Sequence, residues 1–579
     1  MFEKIKVIKF FLIFIYLLLA YSLLNIQIYS RDYFKKLSFR NFIKFEIIPY
    51  LRGRIYSSEN VLLASNVSDY KIYLKPEFEI NTKIKMIFEN ILKIDFNRKN
   101  YYEIKSQIIN KILKIEDIER LSKYINELQE IEIKPVYHRY YNEKNILSNV
   151  IGYTQFIARL DKNIKQYEFN EVGITGIEKE YDELLIGENG LDCFIVDALG
   201  RQHEKTITEW TKKPISGNDI ILTIKFDLQK FIHEIFPKDK NGAIIILNPQ
   251  NGEIYAMSSF PDFDINEFLF NEETKKNILT STRNILLNRC IQGIYPPGST
   301  IKPFIALKYL ENGGDINRVY YCSGSFYYGN KEFKCWKREG HNSLNLINAI
   351  INSCNIYFYN LGLFLGYENI SEIFERFYLT RITDIDLPYE INSFYYSKNY
   401  LEKTNKKITK GEIINMSIGQ GSVSITPIKL AIMYSAIANN GFLIKPRILK
   451  EIRWKNEQRI NKKYNYVKEE IIFNKENIRK IKLALEGVIE YGTGYSAKHK
   501  DGNRIVNFKI GGKTGTAQII GRADKKEEIK PHSWFVCFFP LEQPEYLIVT
   551  LVENAGSSSE VAVPLTQKII EFISKNYMN

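Results

Sequence analysis

From Phe10 to Leu24 the chain reads FFLIFIYLLLAYSLL, without a charge. Between Val7 and Ile28 only Lys9, Ser22, Asn25 and Gln27 interrupt the apolar run, and a membrane-spanning helix needs about 20 such residues. No polar stripe divides the run, as it would in a helix packed on a soluble core. Lys4, Lys6 and Lys9 precede it, and Arg31 and Asp32 follow. The positive-inside bias places the first residues in the cytoplasm and the remainder outside. Ala20-Tyr21-Ser22 faintly resembles a signal-peptidase site, but the apolar run continues past it, so residues 1–32 are expected to stay as a cytoplasmic tip and transmembrane anchor.

The remaining length is too great for one compact core, so at least two folded domains are expected from a chain of 579 residues. Apolar residues at 45% and charged residues at 25% exclude a largely disordered chain. The net charge of +13 is spread without a basic block. It does not single out nucleic acid over an anionic membrane, a wall polymer or plain compositional bias. Six cysteines are too few for a disulfide scaffold and leave room for one metal site.

Residues 33–215 are expected to form an α+β module. Two glycine-marked segments punctuate it: LRGRIYSSENVLLAS around Arg52-Gly53, read as strand, turn and strand, and GITGIEKEYDELLIGENG from Gly173 to Gly190, read as turn, helix and turn. KKPISGNDI (212–220) reads as a linker. Beyond it, GAIIILNPQNGEIYAMSSF (242–260) is a hairpin, the middle of the chain is helical, and NFKIGGKTGTAQII, HSWFVCFFP and EYLIVTLVEN are three late strands before a terminal amphipathic helix. The fold class is therefore mixed α/β (α+β), with a mainly antiparallel sheet covered by helices.

The segment YPPGSTIKPF (295–304) carries the chemistry. Residues three apart share a helix face, so a helix opening at the nucleophile would set Ser299 beside Lys302. An amine can deprotonate a hydroxyl once burial lowers its pKa. The pattern alone proves nothing, since Ser68-Asp69-Tyr70-Lys71 has it too and a lone Ser299 reads as a helix N-cap. Two further elements change that. Ser353-Cys354-Asn355 interrupts an apolar stretch, with Ser353 suited to relay a proton and Asn355 to hold a substrate amide. GGKTGTAQ (511–518) sets Lys513 beside Thr514 and Thr516, a carboxylate-binding combination, with Gly515 permitting close backbone approach.

Ser-x-x-Lys, Ser-x-Asn and Lys-Thr-Gly in this order resemble the penicillin-binding and serine β-lactamase superfamily. RGRIYSSENVLLA, GITGIEKEYDELLIGENG, GQGSVSITPIKLA (419–431) and the N-terminal anchor narrow the resemblance to class B penicillin-binding proteins. CWKREGH (335–341) narrows it further, to the penicillin-binding protein 2 subfamily of cell elongation. The resemblance implies a transpeptidase domain over 216–579 with a five-stranded sheet, preceded by a pedestal or dimerisation-type module over 33–215. It implies D,D-transpeptidation of peptidoglycan stem peptides and acylation by β-lactams. Ser299 would be the nucleophile, Lys302 its base and Ser353 the proton relay, with Asn355 and Lys513 in the same network. Thr514, Gly515 and Thr516 would bind the substrate carboxylate, and the Ser299 and Thr516 amides would form the oxyanion hole. The enzyme would sit in the inner membrane with its catalytic domain periplasmic. Its partners would be a SEDS-type glycosyltransferase and other elongation-complex proteins, not nucleic acid. The chemistry would require no cofactor. A β-lactamase or β-lactam sensor on the same fold, and a non-catalytic scaffold, are the competing functions.

Cys322, Cys335, His341 and Cys354 follow a Cys-x12-Cys-x5-His-x12-Cys pattern between the first two motifs. Three thiolates and an imidazole suit tetrahedral zinc, whereas a Cys322–Cys335 disulfide or plain buried thiols explain the same residues. Some penicillin-binding protein 2 members resemble this chain in a zinc site in this loop, with Asp replacing some thiols. His532, beside Trp534, reads as structural. His138, His203, His233 and His499 have no constellation around them in the sequence.

Overall fold

The computed structural model describes residues 2–35, 43–74, 82–92, 108–113, 115–124, 131–161, 166–196, 202–206, 211–455, 468–470, 473–518 and 530–578. Ile519 and Ile520, at the end of the first late strand expected, lie outside this set, as does the side chain of His203.

The apolar N-terminal segment is one helix, Phe2–Leu24, continued by a wider turn over Asn25–Tyr29. Its side chains are exposed on every side, and Lys4–Tyr29 is long and apolar enough to cross a membrane. An all-round apolar helix with none of the described residues packed on it is a single-pass anchor in form.

The central sheet is built from β1 (Gly242–Leu247), β2 (Ile254–Phe260), β3 (Gly511–Ala517), β4 (His532–Phe539) and β5 (Tyr546–Val552). Its order is β2-β1-β5-β4-β3, antiparallel throughout. Successive strand residues point to opposite faces, and every residue of β1 and β5 is buried. Both faces are therefore covered. The helices Pro427–Ala438, Lys475–Glu490 and Ala562–Tyr577 pack against its strands. β3 lies at an edge, so one side of its backbone faces the loops that carry the first two motifs.

The expected linker is partly a strand. Asp219–Leu222 is fully buried and pairs in parallel with Ile55–Tyr56 and antiparallel with Leu449–Arg453. That six-stranded sheet continues through Leu62–Leu74 to Ile108–Leu113 and Ile131–Tyr141, so residues on both sides of position 215 share it. Lys212 and Ile215 make isolated antiparallel bridges with Leu191 and Glu188, and the apolar residues after Gly217 find a sheet, which local composition could not reveal. Ser68 and Lys71, the decoy Ser-x-x-Lys, lie within the long strand Leu62–Leu74 and not at the start of a helix.

The two glycine-marked segments of the module meet around a buried charge cluster. Glu178, fully buried, accepts from Arg52 Nε at 2.8 Å and from Arg139 Nε at 2.6 Å. Arg52 Nη2 also donates to Asp182 at 2.7 Å. Gly53 is required beside it, because a Cβ there would lie 1.8 Å from Asn218 O.

Candidate active site

Ser299 stands on a 3-10 turn, Gly298–Ile301, and the α-helix begins only at Lys302 (Lys302–Glu311, α1). The expectation of an α-helix opening at Ser299 is corrected here, and the cause is local. An α-helical bond to the Ser299 carbonyl would come from residue 303, which is proline and has no N–H. The Lys302 N–H takes that carbonyl instead, three residues on. Gly298 has φ of 55° and donates its N–H to Gly419 O at 2.9 Å, which brings the GQG segment against the turn. Trp534 Nε1 holds Pro296 O at 3.1 Å, and Tyr434 OH holds Thr300 O at 2.6 Å.

Ser353 occupies the left-handed position that ends the helix Leu346–Ile351 (α2), with φ of 51°. Its amide bonds Ile350 O and the Cys354 amide bonds Ala349 O, the pairing of a helix stop that normally uses glycine. A serine held there pays strain of about 1 kcal/mol or more, and its hydroxyl is where two lysines meet. Lys513 Nζ donates to Ser353 Oγ at 2.9 Å, and Lys302 Nζ lies 3.4 Å from the same oxygen. Lys302 Nζ also donates to Ser353 O at 2.8 Å and to Asn355 Oδ1 at 2.7 Å. Asn355 opens the long helix Asn355–Arg376 (α3).

Both lysines are fully buried. Burial lowers the Lys302 pKa to about 8, against a smaller opposing pull from the neighbouring cysteines. Burial, and then the positive charge of Lys302, push Lys513 well below the ordinary lysine range. Two ammonium groups on one hydroxyl repel, so the site favours a neutral amine. Among the described residues no hydrogen bond joins Ser299 Oγ to Lys302 Nζ; catalytic contacts of this kind often close only on substrate binding.

Strand β3 lies against the Ser299 turn. A Cβ on Gly515 would come within 2.7 Å of Thr300 Cγ2 and 2.9 Å of Pro297 O, and one on Gly298 within 2.9 Å of Thr516 O. Thr514 and Thr516 share the strand face opposite to Lys513. Two residues outside the motifs join them: Thr493 Oγ1 is 2.6 Å from Thr514 Oγ1, and Ser558 Oγ is 2.9 Å from Thr516 Oγ1. Sequence reasoning missed both. Only the glycines flanking Thr493 hinted at a built turn.

Cys322, Cys335, His341 and Cys354 converge, with their ligand atoms all within 4.8 Å of one another. The three thiols are free. His341 Nδ1 is 3.5 Å from both Cys322 Sγ and Cys335 Sγ. A tetrahedron with bonds of about 2.3 Å to sulfur and about 2.0 Å to nitrogen has N···S edges of about 3.5 Å, so this donor set fits zinc. Cys335 and Cys354 share a hydrogen bond that lowers the pKa of Cys335 and raises that of Cys354. Cys335 Sγ also accepts from the Asn355 amide at 3.4 Å, tying the cluster to the second motif.

His532 makes no hydrogen bond to Ser299, Lys302, Ser353 or Lys513. It accepts from the Asn554 amide at 3.2 Å and stacks edge-on with Tyr295, a structural position. His233 does have partners, contrary to the sequence reading: Asp262 Oδ2 lies 2.6 Å from its Nδ1, and Asn145 Nδ2 lies 3.4 Å from its Nε2. His138 pairs with Asp69 at 3.5 Å, and His499 stacks on Tyr495.

Residues 242–571 match the family described as penicillin binding protein transpeptidase domain, and residues 47–222 match the penicillin-binding protein dimerisation domain. The chain belongs to the class B penicillin-binding proteins. Within them it falls in the penicillin-binding protein 2 subfamily. The peptidoglycan D,D-transpeptidase MrdA of Acinetobacter baumannii is 31% identical, over 95% of this chain and 84% of that protein. MrdA of Escherichia coli K12 is 26% identical, over 95% of this chain and 91% of that protein. A solved complex of penicillin-binding protein 2 with MreC from Helicobacter pylori superposes with a TM-score of 0.73 at 26% identity, covering 92% of this chain and 99% of that one. This class B penicillin-binding protein is a serine-type acyltransferase, and its chemistry needs no cofactor.

Proposed function

We propose that this protein is the D,D-transpeptidase that cross-links peptidoglycan stem peptides during cell elongation, through an acyl-enzyme on Ser299. The observation that carries the residue roles is the meeting of Lys302 and Lys513 on Ser353 Oγ beside the Ser299 turn. A neutral amine has two N–H bonds and one lone pair. In Lys302 the two N–H bonds are used by Ser353 O and Asn355 Oδ1, which leaves the lone pair for the Ser299 hydroxyl.

Ser299 Oγ attacks the D-Ala-D-Ala carbonyl as Lys302 takes its proton. The Ser299 and Thr516 amides stabilise the oxyanion. Ser353, polarised by Lys513, gives its proton to the leaving amine of the terminal D-Ala as it takes the Ser299 proton from Lys302, and the D-Ala departs. The amine of a neighbouring stem peptide then attacks the acyl-enzyme, its proton returns to Ser299 through the same network, and the cross-link forms. Thr514 and Thr516 hold the terminal carboxylate, with Gly515 between them allowing strand and turn to close. A β-lactam follows the same route to a stalled acyl-enzyme.

Residues 1–32 anchor the chain in the inner membrane with its N-terminus cytoplasmic, residues 33–215 form the pedestal module, and residues 216–579 form the periplasmic transpeptidase domain. A SEDS-type glycosyltransferase supplies the glycan, and a scaffold partner such as MreC binds as it does to the Helicobacter pylori protein. Cys322, Cys335, His341 and Cys354 hold a structural zinc that fixes the Ser353–Asn355 turn. Metal analysis of protein purified without added zinc should find one zinc per chain; a Cys322–Cys335 disulfide would contradict it.

The lifetime of the acyl-enzyme formed with a fluorescent penicillin tests the function. Labelling that outlasts many minutes is expected of the transpeptidase, whereas clearance within seconds would assign a β-lactamase.

A further inference from the structure

Thr493 lies in the turn Gly492-Thr493-Gly494, after the helix Lys475–Glu490 (α4). The turn packs closely against its neighbours. A Cβ on Gly492 would lie 2.5 Å from Ile351 O, and one on Gly494 would lie 2.9 Å from Ile489 Cδ1. Both glycine amides bond Val488 O, at 3.2 and 3.0 Å. This turn brings Thr493 Oγ1 to 2.6 Å from Thr514 Oγ1.

The hydroxyl protons on this face can be counted. Ser558, buried, donates its proton to Gly515 O at 2.8 Å. It has no second proton, so across the 2.9 Å contact Thr516 must be the donor and Ser558 the acceptor. Thr516 therefore spends its proton away from the substrate. The Thr493–Thr514 pair holds two protons and uses one between its oxygens, which leaves one free.

The geometry points to Thr493 as a positioning residue for the substrate carboxylate, one that sets the Thr514 hydroxyl so that the free proton meets the anion. This rests on the reading of the Thr514–Thr516 strand as the carboxylate site and narrows its hydroxyl donor, Thr516 contributing its backbone amide to the oxyanion. It assigns the principal hydroxyl donor to the Thr493–Thr514 pair and not to Thr516.

The test compares second-order acylation rates of the full chain in detergent with benzylpenicillin and with its methyl ester, which lacks the anion. Thr493→Val, isosteric but without a hydroxyl, should lose about ten- to a hundredfold on the free acid and less than about twofold on the ester. Thr493→Ser should restore the free-acid rate to within about threefold. Thr514→Val should reproduce the acid-only loss. An equal loss on acid and ester in Thr493→Val, or no loss on either, overturns the assignment of Thr493 while Thr514→Val still supports the carboxylate reading. A Thr514→Val variant that slows acid and ester alike removes that reading, and this inference with it.

Discussion

In the proposed mechanism Lys302 can serve as the base because of where its amine is held. Buried among Ser353 O, Ser353 Oγ and Asn355 Oδ1, it has a pKa lowered to about 8. Only the neutral form accepts the Ser299 proton. The acylation rate should therefore rise about tenfold per pH unit below about 8 and level off above it. A stopped-flow pH profile with a fluorescent penicillin checks this; a rate that falls as pH rises through that range would assign the proton acceptance elsewhere. Lys302→Arg keeps a permanent charge and should lose at least about a hundredfold in the same assay. The five candidate catalytic residues were legible as types in an ordered set of motifs. The partners of each were not, because they lie 51 to 160 residues apart, and a lysine three residues from a serine says nothing about which atoms its N–H bonds reach.

At the scale of elements, the site is the contact between the edge strand β3 and the 3-10 turn that precedes α1. Glycine makes that contact possible, and Gly515→Ala tests it. Its Cβ would meet Thr300 Cγ2 at 2.7 Å and Pro297 O at 2.9 Å, so strand or turn must give. The variant should lose about 1–3 kcal/mol of stability and at least about tenfold in acylation rate, measured by thermal unfolding and penicillin labelling together. An unchanged labelling rate would place the substrate groove elsewhere. Apolar, β-branched runs between turn signals made the strands of the central sheet readable, since stretches such as GAIIIL and EYLIVTLVEN are too apolar and β-branched for a surface helix. The 3-10 start was also encoded, in the lone fact that residue 303 is proline. The strand Asp219–Leu222 was hidden, because its partners at Ile55–Tyr56 and Leu449–Arg453 are remote in sequence and four residues show no period of their own.

Across the whole molecule, the module and the transpeptidase region are joined by that shared sheet, and the module itself is organised by Glu178. Two arginines donate to this one buried carboxylate. Glu178→Ala leaves both cations buried without it and should cost about 3–5 kcal/mol in chemical denaturation; a loss below about 0.5 kcal/mol would show that the cluster does not organise the fold. The recurrence of Arg52 and Glu178 in two separate glycine-marked segments was visible in the sequence, but their pairing emerged only once the strands between them were placed. The account as a whole depends on the nucleophile. Full-length protein incubated with penicillin, digested and mapped by mass spectrometry should carry the adduct on the peptide containing Ser299, and Ser299→Ala should carry none while remaining folded. An adduct on any other residue, or labelling that persists in Ser299→Ala, would contradict it.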